Sequence, residues 1–402
     1  MTYFQFLKQF KHLALFGLLL TLGTSFGQTY FVSLFVPYFR ELFSLSNTTF
    51  GLMYSGATVC SAISLIWLGK WIDYTSLKNY LLVVFGIALT ATVLLATVQF
   101  AVILFFGLYL LRLGFQGLLS HTSHTTMARF FTFNRGKALN IANLGFPMGE
   151  AVLPIFTAFL IGLIGWRLSW ASVTIILLIF FIPVIFWLLR FIPADPREIH
   201  RQEGNMDDGS SEISWSRRMV LKDKLFYFIL PAFIASPFLL TGLFLYQLNL
   251  AEFKGWTMHI MGLAFIFFAG GRIIFSLLGG PLIDTYTARK LFPFMLYPAA
   301  TGLLVLGSFS SPATVFVYMG FLGATEGLAS GIKSALWAEI YGIKTLGTVR
   351  SLMTFILILS TAFSPFIFGY TLDSGITFNQ IAFASAIYIV IASLISMRLL
   401  KH

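Results

Sequence analysis

From end to end the chain repeats one feature, an apolar run of roughly 20 residues closed by a short polar or glycine-bearing break. A run of that length crosses a hydrocarbon core of about 30 Å as a helix. The runs are continuous rather than alternating in polarity, which excludes the strands of a membrane barrel. Twelve spans fall near 13–36, 47–69, 79–98, 101–127, 137–164, 168–191, 224–250, 259–283, 291–309, 312–338, 347–371 and 378–400. Only 10% of the 402 residues are charged and the mean hydropathy is +0.87. A soluble domain carries about a quarter charged residues, so this surface is built to face lipid.

A net charge of +11 would suit nucleic acid, but the placement of the charges decides otherwise. With the N-terminus inside, the inner segments hold twenty of the 26 Lys and Arg. The outer loops hold Arg40, Arg167 and Lys254, and Arg112, Arg272 and Lys333 lie within spans. That bias is the positive-inside signature. It predicts a multi-pass inner-membrane protein with both termini cytoplasmic, partnered by the lipid bilayer and not by nucleic acid. The single cysteine, Cys60, excludes an intrachain disulfide and reads as packing in an apolar helix. Lys8 and Lys11 before the first apolar run mimic a signal peptide, but eleven further spans favour an uncleaved first helix.

The one long hydrophilic stretch, 192–223, includes DPREIHRQEGNMDDGSSE and ends in a basic cluster of Arg217, Arg218 and Lys222 that Lys224 continues just beyond it. Its composition buries too little apolar area to pack, so it reads as a cytoplasmic linker. Six spans lie on each side, as bundles over 1–191 and 224–402. An ungapped offset of 211 relates the halves: Gly51-Leu52 falls on Gly262-Leu263, Gly69 on Gly280, Ile72-Asp73 on Ile283-Asp284, Lys78 on Arg289, Gly136 on Gly347 and Pro154 on Pro365. A register shared by Gly, Asp, Pro and basic positions predicts an all-α fold of two pseudo-symmetric six-helix bundles.

Those residues resemble the major facilitator superfamily over essentially the whole chain. That family's loop between helices 2 and 3 reads G-x-x-x-D-R-x-G-R-R. Gly69, Asp73 and Lys78 fit it, as do Gly280, Asp284 and Arg289, while the arginine after each aspartate is replaced by Tyr74 and Thr285. The resemblance implies that both loops gate the cytoplasmic side. RLGFQG from Arg112, NLGFPMGE from Asn143 and YGIKTLGTVRSL from Tyr341 are similar to the oxalate/formate-type and monocarboxylate-type branch. In that branch a helix-8 arginine contributes to anion binding, and Arg272 matches it by its place before Gly280. The aspartate that often stands four residues earlier is Phe268 here.

Ionised groups inside spans are the most informative residues, because each costs about 2.5–3.5 kcal/mol at a helix centre. Arg112, Glu150, Arg272 and Glu326 all fall near midspan. Depth arithmetic at about 1.5 Å per residue sets Arg272 and Glu326 level on the inward-running helices 8 and 10, both roughly 20 Å in, with Lys333 about two turns deeper than Glu326. Arg112 and Glu150 match within a turn or two. Two readings stand: each half holds one buried Arg–Glu bridge that orients its helices, or an arginine faces a central cavity and binds an anion through its fork of donors. Glu326 and Glu150 are then the candidates for proton coupling. His121 and His124, near the inner end of helix 4, read as packing rather than a proton shuttle.

Gln28 and Tyr30 in TSFGQTYFVS on helix 1 need partners in lipid, either across helices or in a cavity. Pro147, Pro154 and Pro365 are the expected helix kinks, since proline removes a backbone donor. No phosphate-binding loop, metal-spaced His/Cys cluster or cofactor motif occurs, so an ATPase is excluded and no cofactor is expected. The chain thus reads as a monomeric secondary carrier of a small organic anion, not an enzyme, with Arg272, Lys333, Arg112, Gln28 and Tyr30 at the substrate. An exporter of hydrophobic or cationic compounds, in which Glu150 and Glu326 hold the cargo, is the alternative within transport. A membrane sensor on a carrier fold is the alternative outside it.

Overall fold

The computed structural model describes residues 3–131, 134–193, 217–342 and 346–401. Among them every regular element is helical. The helices are α1 (Tyr3–Gly23), α2 (Asn47–Lys70), α3 (Leu77–Ala96), α4 (Ala101–Phe130), α5 (Arg135–Asn143), α6 (Gly145–Ile176), α7 (Ile182–Leu189), α8 (Arg217–Lys222), α9 (Lys224–Leu245), α10 (Gln247–Lys254), α11 (Met258–Tyr286), α12 (Ala288–Leu291), α13 (Tyr297–Ser308), α14 (Ala313–Tyr341), α15 (Leu346–Asp373) and α16 (Phe378–Ser396). Most of the expected linker, 194–216, lies outside the described residues.

Eleven stretches among the described residues are long and apolar enough to span a membrane. One of them, Arg135–Leu189, is 55 residues long, over twice what a single crossing needs. It divides at Gly165, whose φ of 79° and ψ of 164° no other residue type adopts without strain. The two expected spans 137–164 and 168–191 meet there, so about twelve crossings are present. Exposed Ile66, Trp67, Ile179 and Leu277 give the lipid-facing surface that hydropathy demands. Cys60 belongs to that surface: it is exposed on α2, where packing was expected.

The chain divides into two compact units, Met1–Ser44 with Gly56–Asp208, and Leu45–Ser55 with Gly209–His402. In the first, α1 packs on α4, α5 and α6, and α3 packs on α4 and α6. In the second, α14 packs on α11 and α13, while α9 packs on α15 and α16. Each unit solves one problem in the same way. The last carbonyls of a helix lack intrahelical donors. Those closing α3 receive Arg167, which donates to Ala96 O at 3.3 Å and Val98 O at 2.8 Å. Those closing α13 receive buried Lys254, which donates to Leu306 O at 2.6 Å and Phe309 O at 2.8 Å. Two of the three basic residues assigned to outer loops therefore have local work as helix C-caps.

The expected prolines sit in distinct settings. Pro147 lies in the first turn of α6, and a proline ring clashes with the carbonyl four residues back. That residue is Asn143, the last of α5, and a single turn residue, Leu144, separates the two helices. Pro154 and Pro365 lie inside α6 and α15.

Candidate functional site

Helix 1 is not the continuous 13–36 span that hydropathy suggests. After α1 the backbone tightens into a 3-10 turn, Thr24–Gly27, then opens at Gln28 with φ −76° and ψ 152° before Thr29–Val32 resumes. Gly27 makes this possible: a Cβ there would lie 2.6 Å from Phe115 Cβ and 2.9 Å from Leu111 O. The unwound residues are thus pressed against α4. Gln116 donates its side-chain amide to Gln28 Oε1 at 3.2 Å, and Arg112 Nη1 reaches Thr29 Oγ1 at 3.4 Å. Arg112 itself opens a π-helical stretch, Arg112–Leu119, whose wider turn shifts these side chains relative to an ordinary helix. On the other flank, Gly145 and Gly149 leave room for Thr21 and Ser25 of the first helix. Glu150 follows directly and is 6% exposed, while Arg112 is 3% exposed and Tyr30 4%. The first unit therefore gathers Gln28, Thr29, Tyr30, Arg112, Gln116 and Glu150 around one break in a helix.

In the second unit the organising element is the crossing of α11 and α14, packed backbone on backbone through glycine. A Cβ on Gly271 would lie 2.5 Å from Gly320 O, and one on Gly327 would lie 2.5 Å from Arg272 O. A Cβ on Gly323 would overlap Phe268 O and lie 3.0 Å from Arg272 N. Small residues permit this approach, which is a familiar way to join helices in lipid. The backbone of α11 at Arg272 therefore lies against Gly323 and Gly327 of α14, the glycines on either side of Glu326. The Glu326 carboxylate accepts a hydrogen bond from Ser236 of α9, which is 5% exposed. Lys333 stands 5.2 Å from the centroid of the Phe233 ring, also on α9. Ser236 was not singled out by sequence; a lone serine in the apolar stretch of α9 carries no pattern.

The two loops expected to gate the carrier place their residues differently from each other. In the first unit Asp73 pairs with Arg129 from the end of α4, and Arg129 also donates to Ile72 O at 3.3 Å. His121 lies 3.0 Å from Gly69 O and His124 2.8 Å from Asn143 Oδ1, so both histidines tie helices together. Lys78 is exposed in the first turn of α3. In the second unit α11 runs on to Tyr286, so Gly280 and Asp284 are helical and exposed rather than in a loop. The carboxylate there comes from Glu339 on α14. Its oxygens accept from Ala288 N at 2.8 Å and Arg289 N at 2.9 Å, which caps α12. Acid and partner have exchanged sides between the halves, which an offset search for matching letters does not detect.

Two such bundles of long apolar helices, with a broken first helix and buried charges at midspan, form an architecture that the comparisons resolve. The sequence profile of the Major Facilitator Superfamily matches residues 17–257, more than half of the chain. The chain belongs to the Major Facilitator Superfamily. It is 24% identical to the hexuronate transporter of Bacillus subtilis (strain 168) over 92% of this chain and 90% of that one. In fold it is similar to a bacterial homolog of the human lysosomal transporter Spinster, with a TM-score of 0.73, 15% identity, and 98% and 97% of the two chains covered. The D-xylose-proton symporter gives a TM-score of 0.70 at 18% identity, covering 96% of each chain. This superfamily member is accordingly a multi-pass membrane transporter of a small molecule, and not an enzyme.

Proposed function

We propose that the chain carries a small organic anion of the sugar-acid class across the inner membrane by alternating access, coupled to protons or by exchange. It works as a monomer with both termini in the cytoplasm. The observation that supports the reading is the place of Arg272, at midspan where α11 packs backbone on backbone against Gly323 and Gly327 of α14. A cation held there on backbone rather than on a flexible loop is pre-organised for a carboxylate. Lys333 adds a second positive charge on the same helix as Glu326, and Glu326, which accepts a hydrogen bond from Ser236, is the proton-coupling candidate. Gln28, Thr29, Tyr30, Gln116 and Arg112 supply the amide, hydroxyl and cationic groups that a hydroxylated substrate would use. The resemblance to a hexuronate transporter supports the same class. The charge bias supports the orientation, with Arg167 and Lys254 accounted for as caps.

The test is uptake of radiolabelled hexuronate into proteoliposomes. Arg272→Gln is expected to abolish uptake while membrane insertion is retained, and full uptake by that variant would reject the assignment. Glu326→Gln is expected to remove the pH dependence of uptake while exchange persists. Acidification of the lumen with substrate entry in that variant would place proton coupling elsewhere.

A further inference from the structure

Two consecutive crossings of the second unit, α15 and α16, both pack on α9 but splay apart instead of packing along each other. The crevice between them encloses about 670 Å³, within the range of about 300–1,000 Å³ usual for small-molecule sites. Phe238 of α9, Ile367 and Phe368 of α15, and Ile381, Ala384 and Tyr388 of α16 line it, and none of its lining residues is charged. Two of its hydroxyls are already occupied: Tyr388 donates to Pro231 O at 3.0 Å and Thr371 to Phe368 O at 2.8 Å. The amide of Gln380, in the first turn of α16, differs from these.

Thr377 caps α16 and fixes that amide. Gln380 Oε1 accepts Thr377 N at 2.9 Å and Thr377 Oγ1 at 3.0 Å, while Thr377 Oγ1 accepts Gln380 N at 3.3 Å. Only the oxygen of a carboxamide can accept those donors, so Nε2 is the atom turned away from Thr377. Its two N–H groups meet no partner among the described residues. Two donors thus stand at one end of a largely apolar slot.

From Gln380 to Tyr388, α16 rises about 12 Å at about 1.5 Å per residue. One leaflet of a hydrocarbon core of about 30 Å is about 15 Å deep, so the slot has the length of one acyl chain's path from the membrane boundary towards the midplane. Ile367, Ile376 and Tyr388, which line it, are 41%, 40% and 38% exposed, so it is open along its side. Phe383, Ile387, Ile391 and Leu394 continue the exposed face of α16 and are all apolar, as a lipid-facing surface requires. The repeat gives the first unit a smaller counterpart of about 260 Å³, between Phe26 of the first crossing, Leu153 and Thr157 before Gly165, and Val173 and Phe181 after it. Its polar side chains are the hydroxyls of Thr157 and Ser169, with no amide. The crevice belongs to the fold; the anchored amide belongs to the second unit.

We propose that the crevice between α15 and α16 binds one phospholipid, with an acyl chain lying on α9 and a glycerol-ester carbonyl accepting from Gln380 Nε2. Recognition is by shape and by the ester, which every common phospholipid carries, because no charged side chain lines the site.

The test uses the full-length protein in phosphatidylcholine nanodiscs containing a trace of phosphatidylcholine with a photoactivatable diazirine in its acyl chain, with adducts mapped by peptide mass spectrometry. Adducts are expected on Phe238, Phe368 and Ala384, and on Leu394 as the general lipid contact. Gln380→Glu keeps the oxygen that caps α16 but replaces the donors. It should lower crevice labelling about fivefold, the loss of one ordinary hydrogen bond, and leave Leu394 and the melting temperature unchanged. Ala384→Trp, which fills the slot, should abolish labelling of Phe238 and Phe368 and spare Leu394. Probes with ethanolamine or glycerol headgroups should label the crevice within about twofold of the choline probe, since no cation is there to favour an anionic lipid. Absence of crevice adducts in the parent protein, or undiminished crevice labelling in both variants, would overturn the site. So would loss of crevice labelling in discs holding two copies, which would assign the crevice to a second copy of the chain.

Discussion

Replacing Gly327 by alanine is the sharpest perturbation of the candidate site. The added Cβ would lie 2.5 Å from Arg272 O and 2.7 Å from Ser276 N, whereas ordinary contact begins at 3.4 Å. The shortfall of about 0.9 Å, from 3.4 − 2.5, falls on backbone atoms that no rotamer change can move. α11 and α14 must therefore separate by nearly that distance. Overpacking of this kind costs about 1–3 kcal/mol, and a displacement of about 1 Å between groups that act together costs about 10²-fold in rate. Gly320, two turns earlier on α14, is the internal control, for a Cβ there meets nothing within 4 Å. Gly320→Ala should be neutral or stabilising, since glycine inside a helix costs about 0.5–1 kcal/mol relative to alanine. Thermal unfolding of the two purified variants in one detergent separates them. Gly327→Ala should melt on the order of 5 °C below Gly320→Ala and lose most hexuronate uptake. Equal melting temperatures would refute the backbone crossing as the device that fixes α11 at Arg272 against α14.

Three further outcomes follow from particular contacts. Glu339→Gln should lower stability by about 0.5–2 kcal/mol, the usual range for a lost cap, and a melting temperature equal to that of the parent protein would remove Glu339 from that role. A double-mutant cycle on Asp73 and Arg129 should give a coupling of only about 0.2–1 kcal/mol, because both side chains are partly exposed, at 52% and 39%; a larger value in chemical denaturation would mean the pair is shielded from water. Lys254→Met should destabilise more than Arg167→Met, because Lys254 is the more deeply buried cap and its loss strands Leu306 O and Phe309 O; the reverse order in thermal melts would contradict this.

The spans are legible in the sequence because lipid imposes one requirement on every helix, and hydropathy reports it directly. The repeat is legible because matching letters at one offset survive in Gly, Asp, Pro and basic positions. Depth arithmetic brings Arg272 level with Glu326 because a helix has a fixed rise per residue. What escapes is whatever depends on three-dimensional approach. The break at Gln28 has no proline to announce it and follows from Gly27 against Phe115. Among 34 glycines, nothing in the letters separates Gly327, whose Cβ position is occupied, from Gly320, whose Cβ position is open. Ser236 and Glu339 act on partners far away in sequence, so no local spacing marks them. The exchange of acid and partner between Asp73–Arg129 and Glu339–Arg289 hides from any search for identical letters.

Charge recognition at Arg272 is tested most directly by comparing the affinities of the purified protein for a hexuronate and for the corresponding uncharged hexose by calorimetry. The parent protein should bind the acid at least tenfold more tightly, and Arg272→Gln should erase that difference while leaving hexose binding unchanged. Equal affinity of the parent protein for acid and hexose, or an undiminished preference in Arg272→Gln, would contradict an anion held by that guanidinium.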